Sequence, residues 1–176
     1  MLLILAARPV VAQAPLCADS IITGNRVGVI QIGMSLDSVR TRCRIVRDTI
    51  EMNEGEAGRV VYALVAGDTV RIDVLRNSVW FIKVRRPGFT TTDSIRIGTR
   101  LARFLVGRRP TIIVGEGKVY LVVRDHCGNS FGLSAEAYRR VPNLNEATLT
   151  RLPRSTVIDE ILVRGNSRSL PNGRCS

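Results

Sequence analysis

Asp125-His126-Cys127 is the one place where side chains of catalytic type stand together, and His126 is the only histidine of the chain. A thiol enzyme needs the imidazole within hydrogen-bond reach of the sulfur. Neighbouring residues of an extended strand point to opposite faces, so His126 would aim away from Cys127 unless the following Gly128 turns the chain. The reading that follows is a disulfide-bonded Cys127 beside a surface histidine, with a thiol enzyme as the remote alternative. Glu51, Glu54 and Glu56 are the nearest thing to clustered carboxylates. They lie in the Gly-containing stretch 51–58, which reads as a mobile loop and not as an acid–base pair. Val114-Gly115-Glu116-Gly117-Lys118 lacks the length and the Lys-Ser/Thr end of a phosphate-binding loop. It reads as a turn between strands. Four widely spaced cysteines and one histidine do not make a zinc site. No catalytic residue, metal site or cofactor is assigned.

The charge is conspicuous. The 176 residues carry a formal net charge of +11. Of the 26 basic residues only Lys83 and Lys118 are lysines, and the arginines are scattered from Arg8 to Arg174. The densest run, Arg40-Thr41-Arg42-Cys43-Arg44-Ile45-Val46-Arg47, is a loose one. Aromatic residues are 5% of the chain, too few for a base-stacking platform, so nucleic acid is disfavoured as a partner. The excess charge still attracts anionic surfaces or polymers in a salt-dependent way. Hydrophobic residues at 45% and charged residues at 23% are globular proportions, with no run long enough to span a bilayer.

Residues 1–14 read as the remnant of an export leader or as a tail. Leu2-Leu3-Ile4-Leu5-Ala6-Ala7 is a short apolar run, and Ala12-Gln13-Ala14 fits the small-residue cleavage pattern, although Pro15 would hinder that cut. Ala14-Pro15-Leu16-Cys17 is a poor lipidation motif. An even number of cysteines in an exported chain implies two disulfides, and hence a periplasmic or secreted protein. Four cysteines allow three pairings. The expected one is Cys17–Cys43, tying the N-terminal arm to the first helix, with Cys127–Cys175 fastening the C-terminal tail.

The elements that must hold these residues show an internal repeat. Ile30-Gln31-Ile32-Gly33-Met34-Ser35-Leu36-Asp37-Ser38-Val39 realigns on Ile95-Arg96-Ile97-Gly98-Thr99-Arg100-Leu101-Ala102-Arg103-Phe104. In each copy an extended Ile-x-Ile meets a Gly that turns the chain. Ser35 or Thr99 then caps a helix whose apolar stripe is Leu36 and Val39, or Leu101, Phe104 and Leu105. Strands are expected at 59–66, 69–76, 79–86, 118–124, 130–134 and 156–164. A polar, helix-leaning stretch fills 135–152. The domain reading is one domain over 15–164, made of repeats at about 26–90 and 91–164, and a tail over 165–176. The expected class is α+β: two helix-plus-antiparallel-meander repeats, helices on one face of a curved antiparallel sheet.

The Gly33-Met34-Ser35-Leu36 turn-helix followed by a meander, given twice, resembles the small extracytoplasmic tandem-repeat modules of the β-lactamase-inhibitor-like group. The helix start is also similar to that of the small outer-membrane assembly lipoproteins. The second copy, Gly98-Thr99-Arg100, departs by losing the Met. The resemblance implies helices on a curved sheet and protein binding through the open sheet face, with no catalytic residues.

The first meander specifies that face. Val61, Ala63 and Val65, Val70, Ile72 and Val74, and Trp80, Ile82 and Val84 must share the core side. Gly67-Asp68 is the expected first turn, with Val65 opposite Val70. Arg76-Asn77-Ser78 is the expected three-residue second turn, with Val74 opposite Trp80 and Ile72 opposite Ile82. The other side then carries Tyr62, Asp73 and Phe81 in one row and Leu64, Arg71 and Lys83 in the next. Aromatics mixed with cations suit a protein partner. The open alternative is that a second layer or the tail covers this side.

Overall fold

The computed structural model describes residues 17–53, 55–115, 117–140, 144–145 and 148–165. The leader segment 1–14 and most of the expected tail, Cys175 included, lie outside them. The α+β expectation is corrected: among the described residues 65 lie in strands and only 17 in α-helices. Among the described residues the helices are α1 (Leu36–Arg42), α2 (Leu101–Phe104) and α3 (Ala135–Arg140). Pieces of seven, four and six residues are too short to form a helical layer. They share the core with a second, small sheet, which adds Ile22, Val27 and Ile30 to it.

That small sheet has the order β3-β2-β1-β8, built from β1 (Ile21–Thr23), β2 (Arg26–Val27), β3 (Ile30–Gln31) and β8 (Thr90–Thr91). Its β1–β8 pair is parallel. The large sheet is antiparallel with the order β4-β5-β6-β7-β12-β11-β10-β9. Its strands are β4 (Arg44–Asn53), β5 (Glu56–Val65), β6 (Asp68–Leu75), β7 (Ser78–Val84), β9 (Thr111–Gly115), β10 (Lys118–Val122), β11 (Asn129–Leu133) and β12 (Ile158–Val163). One apolar cluster lies between the sheets. It runs from Cys17, Ile22 and Val27 through Val61, Ile72 and Phe104 to Phe131 and Val163.

Helix α1 starts where expected: the Ser38 N–H donates to Ser35 Oγ at 3.2 Å, which satisfies one of the orphan donors of the first turn. It stops at Cys43 because Ile45 and Val46 are β-branched and Arg44 and Ile45 pair with Leu64 and Ala63 of β5. Thr99 does not cap α2. Arg100 stands at that position, and Thr99 Oγ1 accepts from the Arg96 N–H at 3.0 Å. The two glycine turns dock alike. The Gly33 and Leu36 N–H groups donate to Val79 and Asn77 at the start of β7, and the Gly98 and Leu101 N–H groups donate to Ile158 and Thr156 at the start of β12.

The stretch 51–58, expected to be a mobile loop, instead carries the end of β4 and the start of β5, paired as far as Asn53 and Glu56. Both meander turns differ from expectation by their loop residues. The first is Ala66-Gly67 (φ 49° and 83°), with Val65 opposite Asp68 and Ala63 opposite Val70. The second is Arg76-Asn77 (φ 50° and 60°), with Leu75 opposite Ser78. Two consecutive left-handed residues make the hairpin turn that matches strand twist, and that geometry outweighs the preference for glycine at Ala66 and Arg76. An even loop should flip β7. A bulge between the Asp73–Phe81 and Val74–Val79 pairs, with Trp80 as its extra residue, absorbs the difference. Val79 takes the buried place opposite Val74, Trp80 turns outward with 53% of its surface exposed, and Ile82 returns to the core opposite Ile72. The expectation of a core Trp80 is thus overturned, while Val61, Ala63, Val65, Val70, Ile72, Ile82 and Val84 are all buried as expected.

Cys17 and Cys43 form a disulfide with Cα atoms 5.2 Å apart. Cys127 is disulfide-bonded as well, and its expected partner Cys175 is outside the described residues. Disulfides persist in oxidising compartments, which fits an extracytoplasmic protein. Among the described residues no helix is long and apolar enough to cross a membrane.

Candidate binding face

The side of the large sheet turned away from the core carries all six residues singled out for it. Their rows are shifted from the expected ones because the first turn is Ala66-Gly67. Tyr62, Arg71 and Lys83 lie in one row, and Val60, Asp73 and Phe81 in the next, with Leu64 opposite Thr69. Tyr62, Leu64 and Phe81 are half-buried. Val60 is buried although it is not part of the main core, so the side chains of this face pack on one another.

At the β4 end the charges are arranged around Glu51. The Tyr62 hydroxyl donates to Glu51 Oε1 at 2.9 Å, and Arg71 Nη1 lies 3.0 Å from Glu51 Oε2. Arg71 also reaches Asp73 at 2.9 Å. Burial pushes the Tyr62 hydroxyl above its usual pKa, and its bond to Glu51 adds to that. Arg47 lies over the Tyr62 ring at 5.7 Å. In the middle, Trp80 and Phe81 sit with ring centroids 5.9 Å apart, and the Arg164 guanidinium lies 5.4 Å over the Phe81 ring.

Toward β10 stands a group that sequence reasoning passed over. Glu160 of β12 has no exposed surface. The Tyr120 hydroxyl donates to Glu160 Oε1 at 2.8 Å, and Arg85 Nε donates to Oε2. Lys83 Nζ lies 4.0 Å and Lys118 Nζ 3.6 Å from the same carboxylate. Tyr120 reaches across β11 because residue 132 is glycine: a Cβ there would come within 3.1 Å of the Glu160 side chain and 3.3 Å of the Tyr120 ring. Burial alone would raise the Glu160 pKa. The charge of Lys83, the Arg85 hydrogen bond, the charge of Lys118 and the Tyr120 hydrogen bond outweigh it and hold the carboxyl below its ordinary value. The available signal was Asp159-Glu160, two acids inside an otherwise apolar strand, together with the placing of the chain's two lysines. Between Tyr62 and Arg85 the face dips into a hollow of about 360 Å³ lined by Tyr62, Thr69, Arg71, Lys83, Arg85 and Arg86.

The Asp125-His126-Cys127 segment lies elsewhere. His126 is not the surface residue expected, since its side chain keeps 9% of its surface. Its Nε2 hydrogen-bonds Asp93 Oδ2 at 3.0 Å, and its ring meets Phe131 edge-on at 5.3 Å. Thr91 Oγ1 donates to Asp93 Oδ1 at 2.6 Å, and Arg108 Nη2 also donates to Asp93. Burial opposes the ionised form of Asp93, but the Thr91 and His126 hydrogen bonds, the His126 charge and the Arg108 hydrogen bond bring its pKa down to about 2. The Asp125 side chain is outside the described ones. Among the described residues no group of three His, Cys, Asp or Glu is placed to hold a metal.

Fold and face together define a mostly-β protein in which two four-stranded meanders join edge to edge into one sheet with an aromatic and charged outer side. No family model matches the chain, and no curated protein does. It is similar in structure to the uncharacterized protein YfeY from Escherichia coli, with a TM-score of 0.60 and 15% sequence identity over 81% of this chain and 98% of that one. At that identity the likeness is one of fold alone.

Proposed function

We propose that this is an exported, non-catalytic binding module that holds a protein partner on the outer side of its large sheet. The observation that carries the reading is the Trp80–Phe81 pair. The bulge turns a tryptophan out of the core and leaves it 53% exposed next to a second aromatic ring. Large amphipathic aromatics at the centre of a patch, with arginine around them, are what protein interfaces are enriched in. The cations of the face support a protein over a polyanion. The four cations Arg71, Lys83, Arg85 and Lys118 stand against the four carboxylates Glu51, Asp73, Asp159 and Glu160, so among these groups little charge is left uncompensated to grip a polymer. The hollow lined by Arg71, Lys83, Arg85 and Arg86 keeps an anionic surface or polymer as the second reading. The disulfide at Cys127 weighs against thiolate catalysis, because only the thiolate is nucleophilic.

The test is capture from envelope and secreted fractions with the wild-type protein, Trp80→Ala and Phe81→Ala. The reading expects a protein retained by the wild type at moderate salt and lost by both variants, with near-UV circular dichroism confirming their fold. Retention that both variants keep and that salt alone abolishes would favour the anionic reading instead.

A further inference from the structure

The large sheet ends on β4, ten residues long. Among the described residues only β5 pairs with it. Such an edge offers a row of backbone donors and acceptors to any added strand, and proteins normally guard it. The guards here are unusual. Arg44, Arg47, Asp48 and Glu51 are of mixed sign, and beside them Val46, Ile50 and Met52 are 48%, 64% and 70% exposed.

The charge pattern reads as its own complement. A second β4 laid antiparallel, with a two-fold axis through Thr49, keeps the side chains of residues 47–51, which lie beyond the bulge at Val46, on their own face of the sheet. The pairs are then Thr49 with Thr49, Asp48 with Ile50, and Arg47 with Glu51. The last occurs twice, once on each side of the axis. Arg47 has no carboxylate partner among the described residues. Glu51 is 24% exposed and meets the Tyr62 hydroxyl and Arg71 from the β5 and β6 side, which leaves it able to accept from the open side. On the opposite face the two Ile50 side chains become diagonal neighbours across the axis. Cross-strand pairs of opposite charge and of β-branched residues stabilise a ladder. The other edge, β9, is five residues with no charged side chain (Thr111-Ile112-Ile113-Val114-Gly115) and offers no such pairing.

From this we propose that β4 is a dimerisation edge whose partner is a second copy of this chain, in the antiparallel register centred on Thr49. The product is one continuous sheet of sixteen strands, with the binding faces of both copies on the same side. The inference does not depend on what that face binds.

The experiment uses the full chain and analytical ultracentrifugation. Wild type is expected to dimerise reversibly. Arg47→Glu puts two Glu–Glu pairs across the axis, and Glu51→Arg puts two Arg–Arg pairs there, so each variant alone should associate at least about tenfold more weakly. Mixed one to one, the two variants restore both opposite-charge pairs and should dimerise with each other. Because Glu51 also holds Tyr62 and Arg71, the fold of Glu51→Arg is checked by circular dichroism. Thr49→Cys gives an arm that avoids Glu51, and it should cross-link to itself on oxidation where Ile113→Cys does not. A wild type that stays monomeric at hundreds of micromolar would overturn the proposal. So would folded variants that fail to pair when mixed, or cross-linking through residue 113 in place of 49.

Discussion

Replacing Glu160 by Gln tests whether the outer face is held by a buried charge. Gln keeps the volume and the contact with Tyr120 but removes the anion from among Lys83, Arg85 and Lys118. Breaking a buried pair by neutralising one partner destabilises by about 3–5 kcal/mol, because the other charge stays buried and unmatched. Lys83, with a side chain only 9% exposed, is the cation that loses most, whereas Arg85 at 58% turns to water and loses little. The expected loss is therefore near the lower end, about 3 kcal/mol at pH 7. With a urea slope of about 2 kcal/mol/M the midpoint falls by roughly 1.5 M. The sign with pH follows from the direction of the shift. The folded-state pKa of Glu160 lies below its ordinary 4.5. The wild type therefore holds this stability in full above about that pH and loses it as pH falls through the lowered value. The two urea midpoints should converge in acid. A double Glu160→Leu, Lys83→Leu variant should regain at least half the loss, since apolar replacement of a buried pair is close to neutral. A loss below 1 kcal/mol at pH 7, or one that does not change with pH, would refute the account.

Reducing or replacing the Cys17–Cys43 bridge, which spans a sequence separation of 26, should lower stability by about 3–4 kcal/mol on the chain-entropy model, read as a lower thermal midpoint of a Cys17→Ser, Cys43→Ser protein. Asp93, with its pKa at about 2 against an ordinary 3.8, stabilises the fold above about pH 4 and ceases to as pH falls toward 2. Asp93→Asn should cost about 1–2 kcal/mol at pH 7, discounted for a side chain 34% exposed, and almost nothing at pH 2 by urea titration at both. Ala66→Gly should stabilise by about 0.5–1 kcal/mol, because Ala66 holds a left-handed φ of 49° at which glycine carries no Cβ penalty. A lower midpoint in that variant would contradict the turn assignment.

Strands β5, β6 and β7 were legible because their apolar residues alternate and one side is wholly buried. The parity of Val61, Val70 and Ile72 therefore survived an error in the turn. Trp80 was misplaced because a bulge leaves no mark in a pattern of alternation. Strands β4 and β9 were missed for a physical reason: as edge strands they expose both faces, so neither the mixed charges of β4 nor the unbroken Ile-Ile-Val run of β9 shows an alternating period. The short helices were overweighted because Leu36-Val39 and Leu101-Phe104 do make a stripe, but for only one or two turns. On the outer side, the shared parity of Tyr62, Leu64, Arg71, Asp73, Phe81 and Lys83 was legible in the alternation, and Glu160 was not. This buried carboxylate is set by partners on β10, on β7 and just past the end of β7, and nothing in its own neighbourhood of the chain announces them.

The seam between the two meanders bears on how the chain assembles. Strands β7 and β12 meet through three residue pairs, Ile82 with Val163, Lys83 with Leu162 and Val84 with Ile161. The strands β4 to β7 are consecutive hairpins and can form as soon as residue 84 is delivered. The strand that completes them lies at 158–163. Until the chain has been delivered almost to that point, β7 presents a bare and largely apolar edge, the kind of surface on which folding intermediates aggregate. Contacts so distant in sequence also form late and slowly. Truncation short of β12 should therefore harm solubility well beyond the stability of the six residues removed.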